Sequence, residues 1–135
     1  IFIKKIKRGM SVSYGRTFIA AKSTDIATVS IGYADGYPWS LSNGAKTIIG
    51  DNFFNLAGRV CMDHIMVNLG NNSDIKVAEE VVLIGEKNGL KITAEEVAIW
   101  AKTIPYEIVS RLSSRIPRLY KNANEKQLEF LKDKF

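Results

Sequence analysis

Apolar positions in the first 85 residues fall in short runs separated by glycine and polar turns. That spacing predicts strands over residues 1–6, 12–14, 17–21, 26–31, 47–49, 53–56, 57–61, 65–69 and 81–84. The 26–31 run is β-branched, nearly continuous and stopped by Gly32, as a strand should be. Gly50-Asp51-Asn52 between two strands is a hairpin signal. Residues 32–44, with Gly32, Gly36, Pro38, Asn43 and Gly44, read as a turn-rich stretch, and residues 70–74 as a polar loop. Helical spacing enters late. Thr93 with Glu96 makes a capping box, Glu95 and Glu96 sit at the positive end of the helix dipole, and Val97, Trp100 and Ala101 carry the pattern to Lys102. Pro105 is expected to end this helix. Residues 108–112 start a further short helix or strand, and residues 124–135, with Leu128 and Leu131 three apart, read as a marginal helical tail.

Many short strands with glycine turns and a late helix argue for a barrel or a sandwich. The fold expected is mainly β: a Greek-key-like, partly closed β-barrel with one or two short helices late in the chain. A length of 135 residues suits one domain, taken as residues 1–120 with a tail over 121–135. With 46% hydrophobic and 24% charged residues, disorder is excluded over most of the length. The net charge of +5 and pI near 9.4 would admit a nucleic acid. Yet the densest basic run, Lys4, Lys5, Lys7 and Arg8, has no aromatics among its charges to stack on bases, so a solvated basic face is the expectation. Cys61 is the only cysteine, which precludes an internal disulfide and fits a reducing cytoplasm. No apolar run approaches the roughly 18–20 residues of a membrane span. The chain starts on Ile1-Phe2-Ile3, already strand-like, and reads as a piece of a longer polypeptide.

Four local motifs carry candidate chemistry: Val12-Ser13-Tyr14-Gly15-Arg16-Thr17; Ile31-Gly32-Tyr33-Ala34-Asp35-Gly36-Tyr37-Pro38; Gly58-Arg59-Val60-Cys61-Met62-Asp63; and Thr103-Ile104-Pro105-Tyr106-Glu107, followed by Arg115-Ile116-Pro117-Arg118. Each alone is a weak signal. Together, in order over about residues 4–120, they resemble the C-terminal domain of the alanine racemases. That resemblance implies a β-domain from a two-domain enzyme whose other half, a (β/α)8 barrel holding pyridoxal 5′-phosphate through a lysine, is missing from this chain. It implies a homodimer in which one subunit's barrel meets the partner's β-domain, with alanine as substrate and D-alanine for the cell wall as product.

Racemisation takes the α-proton from one face of an amino acid and returns one to the other. It therefore needs an acid/base group on each side and an electron sink, which the cofactor provides. The resemblance puts one acid/base group at Tyr14. A free tyrosine ionises near pH 10, so a base near neutrality needs a neighbouring cation or donor, supplied in the family by a barrel histidine. The backbone N–H of Met62 matches the holder of the substrate carboxylate, with Asp63 shaping the same loop. Tyr33, Asp35, Arg59 and Ile104 match the substrate entrance, where a cation such as Arg59 would draw in a carboxylate. Tyr106 matches a cofactor-phosphate contact serving its own subunit, while Tyr14 and Met62 serve the partner's site. No metal site is expected. Cys61 is read as a buried strand end; it is not a nucleophile, since His64, the only histidine, matches no catalytic position.

Two departures stand out. Trp39 occupies a position that is often arginine, making that part of the entrance less basic. Ala78 stands where a glycine is common, at a cost of about 1 kcal/mol if its φ is positive. By itself the chain, lacking a cofactor lysine, is expected to be inactive. Three alternatives remain: a related barrel-plus-β-domain decarboxylase, disfavoured by the Ser-Tyr-Gly and Gly-Tyr-Ala-Asp-Gly motifs; a racemase acting on serine or a wider set of amino acids; and a stand-alone basic β-barrel binding module.

Overall fold

The computed structural model describes residues 1–71 and 73–120; the tail expected over residues 124–135 lies outside them. Ten strands precede and two helices close the described chain. The strands are β1 (Phe2–Ile6), β2 (Ser11–Val12), β3 (Phe18–Ile19), β4 (Thr24–Val29), β5 (Lys46–Ile49), β6 (Asn52–Asn55), β7 (Ile65–Gly70), β8 (Val81–Val82), β9 (Gly85–Lys87) and β10 (Leu90–Ile92); the helices are α1 (Ala94–Ala101) and α2 (Pro105–Ser110).

β4 lies between β1 and β7 in one antiparallel sheet, and β5 between β6 and β8 in another. The sheets meet at a single bridge between Leu56 and Val67. Among the described residues no ladder joins β8 back to β1, so the barrel is partly closed. Three pairings, β1–β4, β4–β7 and β5–β8, join strands that are not consecutive in sequence, while β2–β3, β5–β6 and β9–β10 are local hairpins. This is the mainly β, Greek-key-like architecture expected.

β7 alternates cleanly, with Ile65, Val67 and Leu69 buried, so one face fills the main core. β4 does not alternate, because it is covered on both sides. Ala27 packs into the main core, and Ile26 joins Ile6, Ala20 and Ala57 in a smaller second one. Ile48, Ile49, Val97 and Ile108 complete the main core, and burying each such side chain stabilises the fold by about 1.5–3 kcal/mol. α1 spans only 8 residues, too short to persist alone. Its Thr93–Glu96 capping box forms in both directions, at 2.9 and 3.1 Å, and Val97, Ala98 and Ala101 anchor it.

Several expectations are corrected. Residues 57–61 form a loop, not a strand, because Gly58 takes φ +88 to pass Ser13. Cys61 is accordingly half-buried in that loop, not at a buried strand end. Tyr14 lies beyond β2, in a 3₁₀ turn. α1 ends at Lys102 in the left-handed conformation, φ 58, and Pro105 then opens α2, where its missing N–H costs nothing. A hairpin not expected, β9–β10, turns at Asn88-Gly89, both at positive φ. Ala78 has φ 73, so the strain anticipated for it is present.

Candidate active-site face

Tyr14 sits on a tight turn held from below. Its flanking residues Ser13 and Gly15 both take positive φ, 65° and 72°. Ser13 is a non-glycine there, at a cost on the order of 1–3 kcal/mol. Its hydroxyl offsets part of this by donating to the Arg59 carbonyl at 2.7 Å. A Cβ on Gly58 would come within 2.6 Å of the Ser13 Cβ, so the closeness of the two loops depends on that glycine. The Arg59 guanidinium lies against Gly15, with Cζ only 3.0 Å from where a Cβ would stand. Its other neighbour is the Trp39 ring, 5.8 Å away at the centroid. Trp39 therefore does more than change the local polarity: its ring lies under the Arg59 guanidinium. Tyr14 itself is 72% exposed, projecting from this braced base.

A second pair of loops stacks beside the first. The N–H of Tyr33 donates to the Cys61 carbonyl and that of Ala34 to the Met62 carbonyl, both at 3.0 Å. A Cβ on Gly32 would overlap both carbonyl oxygens, so only glycine allows this approach. Asp35 closes its own turn by accepting from the Gly32 N–H at 2.9 Å. The Cys61 N–H donates to the His64 carbonyl at 2.9 Å. The N–H of Met62, between these clamped groups, has no hydrogen-bond partner among the described residues, and Met62 is 54% exposed.

Arg115 spans both loops. Its guanidinium donates to the Asp63 carboxylate at 2.7 Å and lies 3.5 Å from that of Asp35. The Asp63 hydrogen bond, followed by the Asp35 charge, raises the Arg115 pKa, so the guanidinium stays charged. The sequence shows Arg115 within a motif but gives it no task. Only the fold brings it to residues 52 and 80 positions away in the chain. The segment after α2 reaches the same turn, with the Ser113 N–H donating to the Asp35 carbonyl at 3.0 Å.

Ile104 and Tyr106 open α2 and are 60% and 79% exposed. Glu107 braces the helix, accepting from Thr103 and pairing with Arg111 at 2.9 Å. The Thr103 and Arg111 contacts lower the Glu107 pKa. Among the described residues, no hydrogen bond, ion pair or ring contact ties Tyr106 to the Tyr14–Arg59–Trp39 group. The fold thus gathers Tyr14, Tyr33, Asp35, Arg59, Met62 and Asp63 on interlaced loops and leaves Ile104 and Tyr106 on a separate element. Among the described residues no cluster of histidine, cysteine and carboxylate side chains could hold a metal, and no helix is long and apolar enough to cross a membrane.

The family model for the alanine racemase C-terminal domain matches residues 1–120. This chain belongs to the alanine racemase C-terminal domain family. It is 50% identical over 124 residues to an alanine racemase of Clostridium perfringens (strain SM101 / Type A), covering 92% of this chain and 32% of that protein. Solved alanine racemases from Streptomyces coelicolor A3(2) and from the D-cycloserine producer Streptomyces lavendulae superpose with TM-scores of 0.84 and 0.85. Their identities to this chain are 37% and 36%, with 90% and 93% of it covered and 32% of each structure. The chain thus spans about a third of the length of these relatives.

Proposed function

We propose that this chain works as the β-domain of a pyridoxal 5′-phosphate-dependent alanine racemase, an isomerase interconverting L- and D-alanine. The observation that carries the reading is the lacing of Tyr14's turn to the loop that bears the unpartnered Met62 N–H. An exposed acid/base group and an open donor for a carboxylate are fixed in one rigid frame. Arg59 adds a cation, held by Gly15 and Trp39, that attracts an incoming carboxylate.

On this reading the Met62 N–H donates to the substrate carboxylate and fixes how the amino acid lies. Tyr14 then moves a proton at its hydroxyl oxygen, to or from one face of the α-carbon. The opposite face is served from outside this chain. Tyr33 and Asp35 on one turn, with Arg59 and Ile104, line the route in. The Tyr106 hydroxyl, exposed and without a hydrogen-bond partner among the described residues, suits a phosphate oxygen, so the chain fits pyridoxal 5′-phosphate at that single contact. That cofactor, when bound, provides the electron sink for the α-carbanion. The working unit is a cytoplasmic homodimer, with Tyr14 and Met62 completing the partner's site and Tyr106 its own subunit's.

Tyr14→Phe in the complete gene product tests this. Racemisation is expected to fall by about 10²–10⁴-fold, the usual contribution of a placed acid/base group. One alanine enantiomer is expected to keep exchanging its α-proton with deuterium from solvent while the other stops. Proportional loss of exchange from both enantiomers would rule Tyr14 out as a one-face group.

A further inference from the structure

We propose that Arg115 is the positioning residue that sets the Met62 N–H for the substrate carboxylate. The proposal rests on the functional reading above and deepens it. The Met62 N–H can orient a carboxylate only if the 61–63 loop is held on both sides. On one side, the Cys61 and Met62 carbonyls accept from Tyr33 and Ala34. Those bonds hold only while the Gly32–Asp35 turn keeps its shape, which depends on the Asp35 carboxylate accepting from the Gly32 N–H. On the other side, Asp63 follows Met62 directly in the chain and has no backbone bond of its own among the described residues. Among the described residues, Arg115 is the one group that reaches both carboxylates, at 2.7 Å to Asp63 and 3.5 Å to Asp35.

The chemistry of the side chain fits this task. A guanidinium presents several N–H groups in a fixed plane, so Nε can face Asp35 while a terminal nitrogen donates to Asp63. A lysine has a single nitrogen on a flexible stem and does not offer two separately placed donors in a fixed plane. As a contribution to stability, a half-exposed ion pair of this kind is worth little. Its effect is therefore expected in loop geometry and substrate binding, not in global unfolding. The base of Arg115 is itself fixed, because the Ser113 N–H donates to the Asp35 carbonyl.

The experiment compares the complete gene product with its Arg115→Met and Arg115→Lys variants. Arg115→Met is expected to raise the KM for alanine about tenfold and to weaken inhibition by propionate, a carboxylate without an amino group, in parallel. A kcat within about threefold of wild type would mark the lost interaction as one shared by ground and transition states. The melting temperature and the cofactor's visible absorbance are expected to hold. Arg115→Lys should remain impaired in KM. Combining Arg115→Met with Asp63→Asn should add little to either change alone, since both cut one link. Hydrogen exchange gives a readout independent of turnover: peptides covering residues 32–36 and 60–64 should exchange faster in Arg115→Met, and those covering β4 and β7 should not. An unchanged KM or unchanged exchange at 60–64 overturns the proposal. So does a general loss of melting temperature and cofactor, which would make Arg115 a plain structural prop. If the wild-type protein does not racemise alanine, the functional reading falls and takes this one with it; if it does and the variant's KM is unmoved, only the role of Arg115 falls.

Discussion

Tyr37 separates what a residue's neighbours in sequence suggest from what its surroundings in space impose. It belongs to the Gly36-Tyr37-Pro38 run, two residues beyond Asp35 in the same motif. In the fold it is 5% exposed and its hydroxyl has no hydrogen-bond partner among the described residues. It faces a mostly apolar cleft of about 370 Å³ lined by Ile31, Val81, Val97, Ile108 and Leu112 among others. Burial raises its pKa, so the fold favours the neutral phenol. The folded-state value lies above the unfolded one near 10, so this contribution is complete below about pH 10 and is lost as pH rises beyond it. Leaving a buried polar atom unpaired costs roughly 1–3 kcal/mol. Tyr37→Phe is therefore expected to be neutral or to stabilise by up to about 1 kcal/mol, and to soften the alkaline loss of stability. Urea midpoints on either side of about pH 10 check both parts. A clear loss of stability in the variant would mean that the hydroxyl is bonded.

At the scale of elements, the contact of two loops turns on a glycine whose own backbone is ordinary. Gly32 has φ −152, a conformation open to any residue. What excludes a side chain is the pair of carbonyl oxygens from Cys61 and Met62 pressed against it. Gly9 is the reverse case, with φ +81 and nothing within 4 Å of a Cβ. Gly32→Ala is expected to destabilise by about 1–3 kcal/mol through overpacking and to raise the KM by moving the Met62 loop. Gly9→Ala should carry only the left-handed strain, about 1 kcal/mol, with no kinetic change. Equal effects on KM would show that the stack is not what places Met62. The same contrast explains how legible the elements were. α1 could be read because the Thr93–Glu96 box and the apolar spacing lie within one short window, whereas its stop at Lys102, a left-handed residue, carries no such signal. The β5–β6 hairpin was legible for the same reason, and β9–β10 carried an equally local Asn88-Gly89 signal that the strand pattern around it did not bring out. Residues 57–61 look apolar enough for a strand, yet no partner strand is in place for them; they follow Ser13 and the Gly32 turn instead. Strand pairing is decided by residues far apart in the chain, and a local pattern does not contain it.

Across the whole molecule, the motifs were legible and their joints were not. Tyr14, Arg59, Met62, Asp63, Tyr33 and Asp35 could each be picked out in the sequence through the family resemblance. The bonds that make them one surface could not, because Ser13 to Arg59, Ala34 to Met62 and Arg115 to Asp35 and Asp63 close over tens of residues. Tyr106 is carried by α2, and among the described residues no hydrogen bond, ion pair or ring contact ties it to Tyr14, Arg59 or Trp39. On the proposed reading, the two tyrosines of one chain serve different sites of a head-to-tail dimer. Mixing variants tests the arrangement. In a dimer of one Tyr14→Phe subunit and one Tyr106→Phe subunit, crossed contributions leave one site with both tyrosines and the other with neither. Purified through two different tags, and assayed at a cofactor concentration that leaves the Tyr106→Phe homodimer largely inactive, this dimer is expected to recover about half of wild-type activity. Were both tyrosines drawn from the same chain, every site would lack one of them. Activity would then stay near the mean of the two parent homodimers, and the crossed arrangement would be excluded.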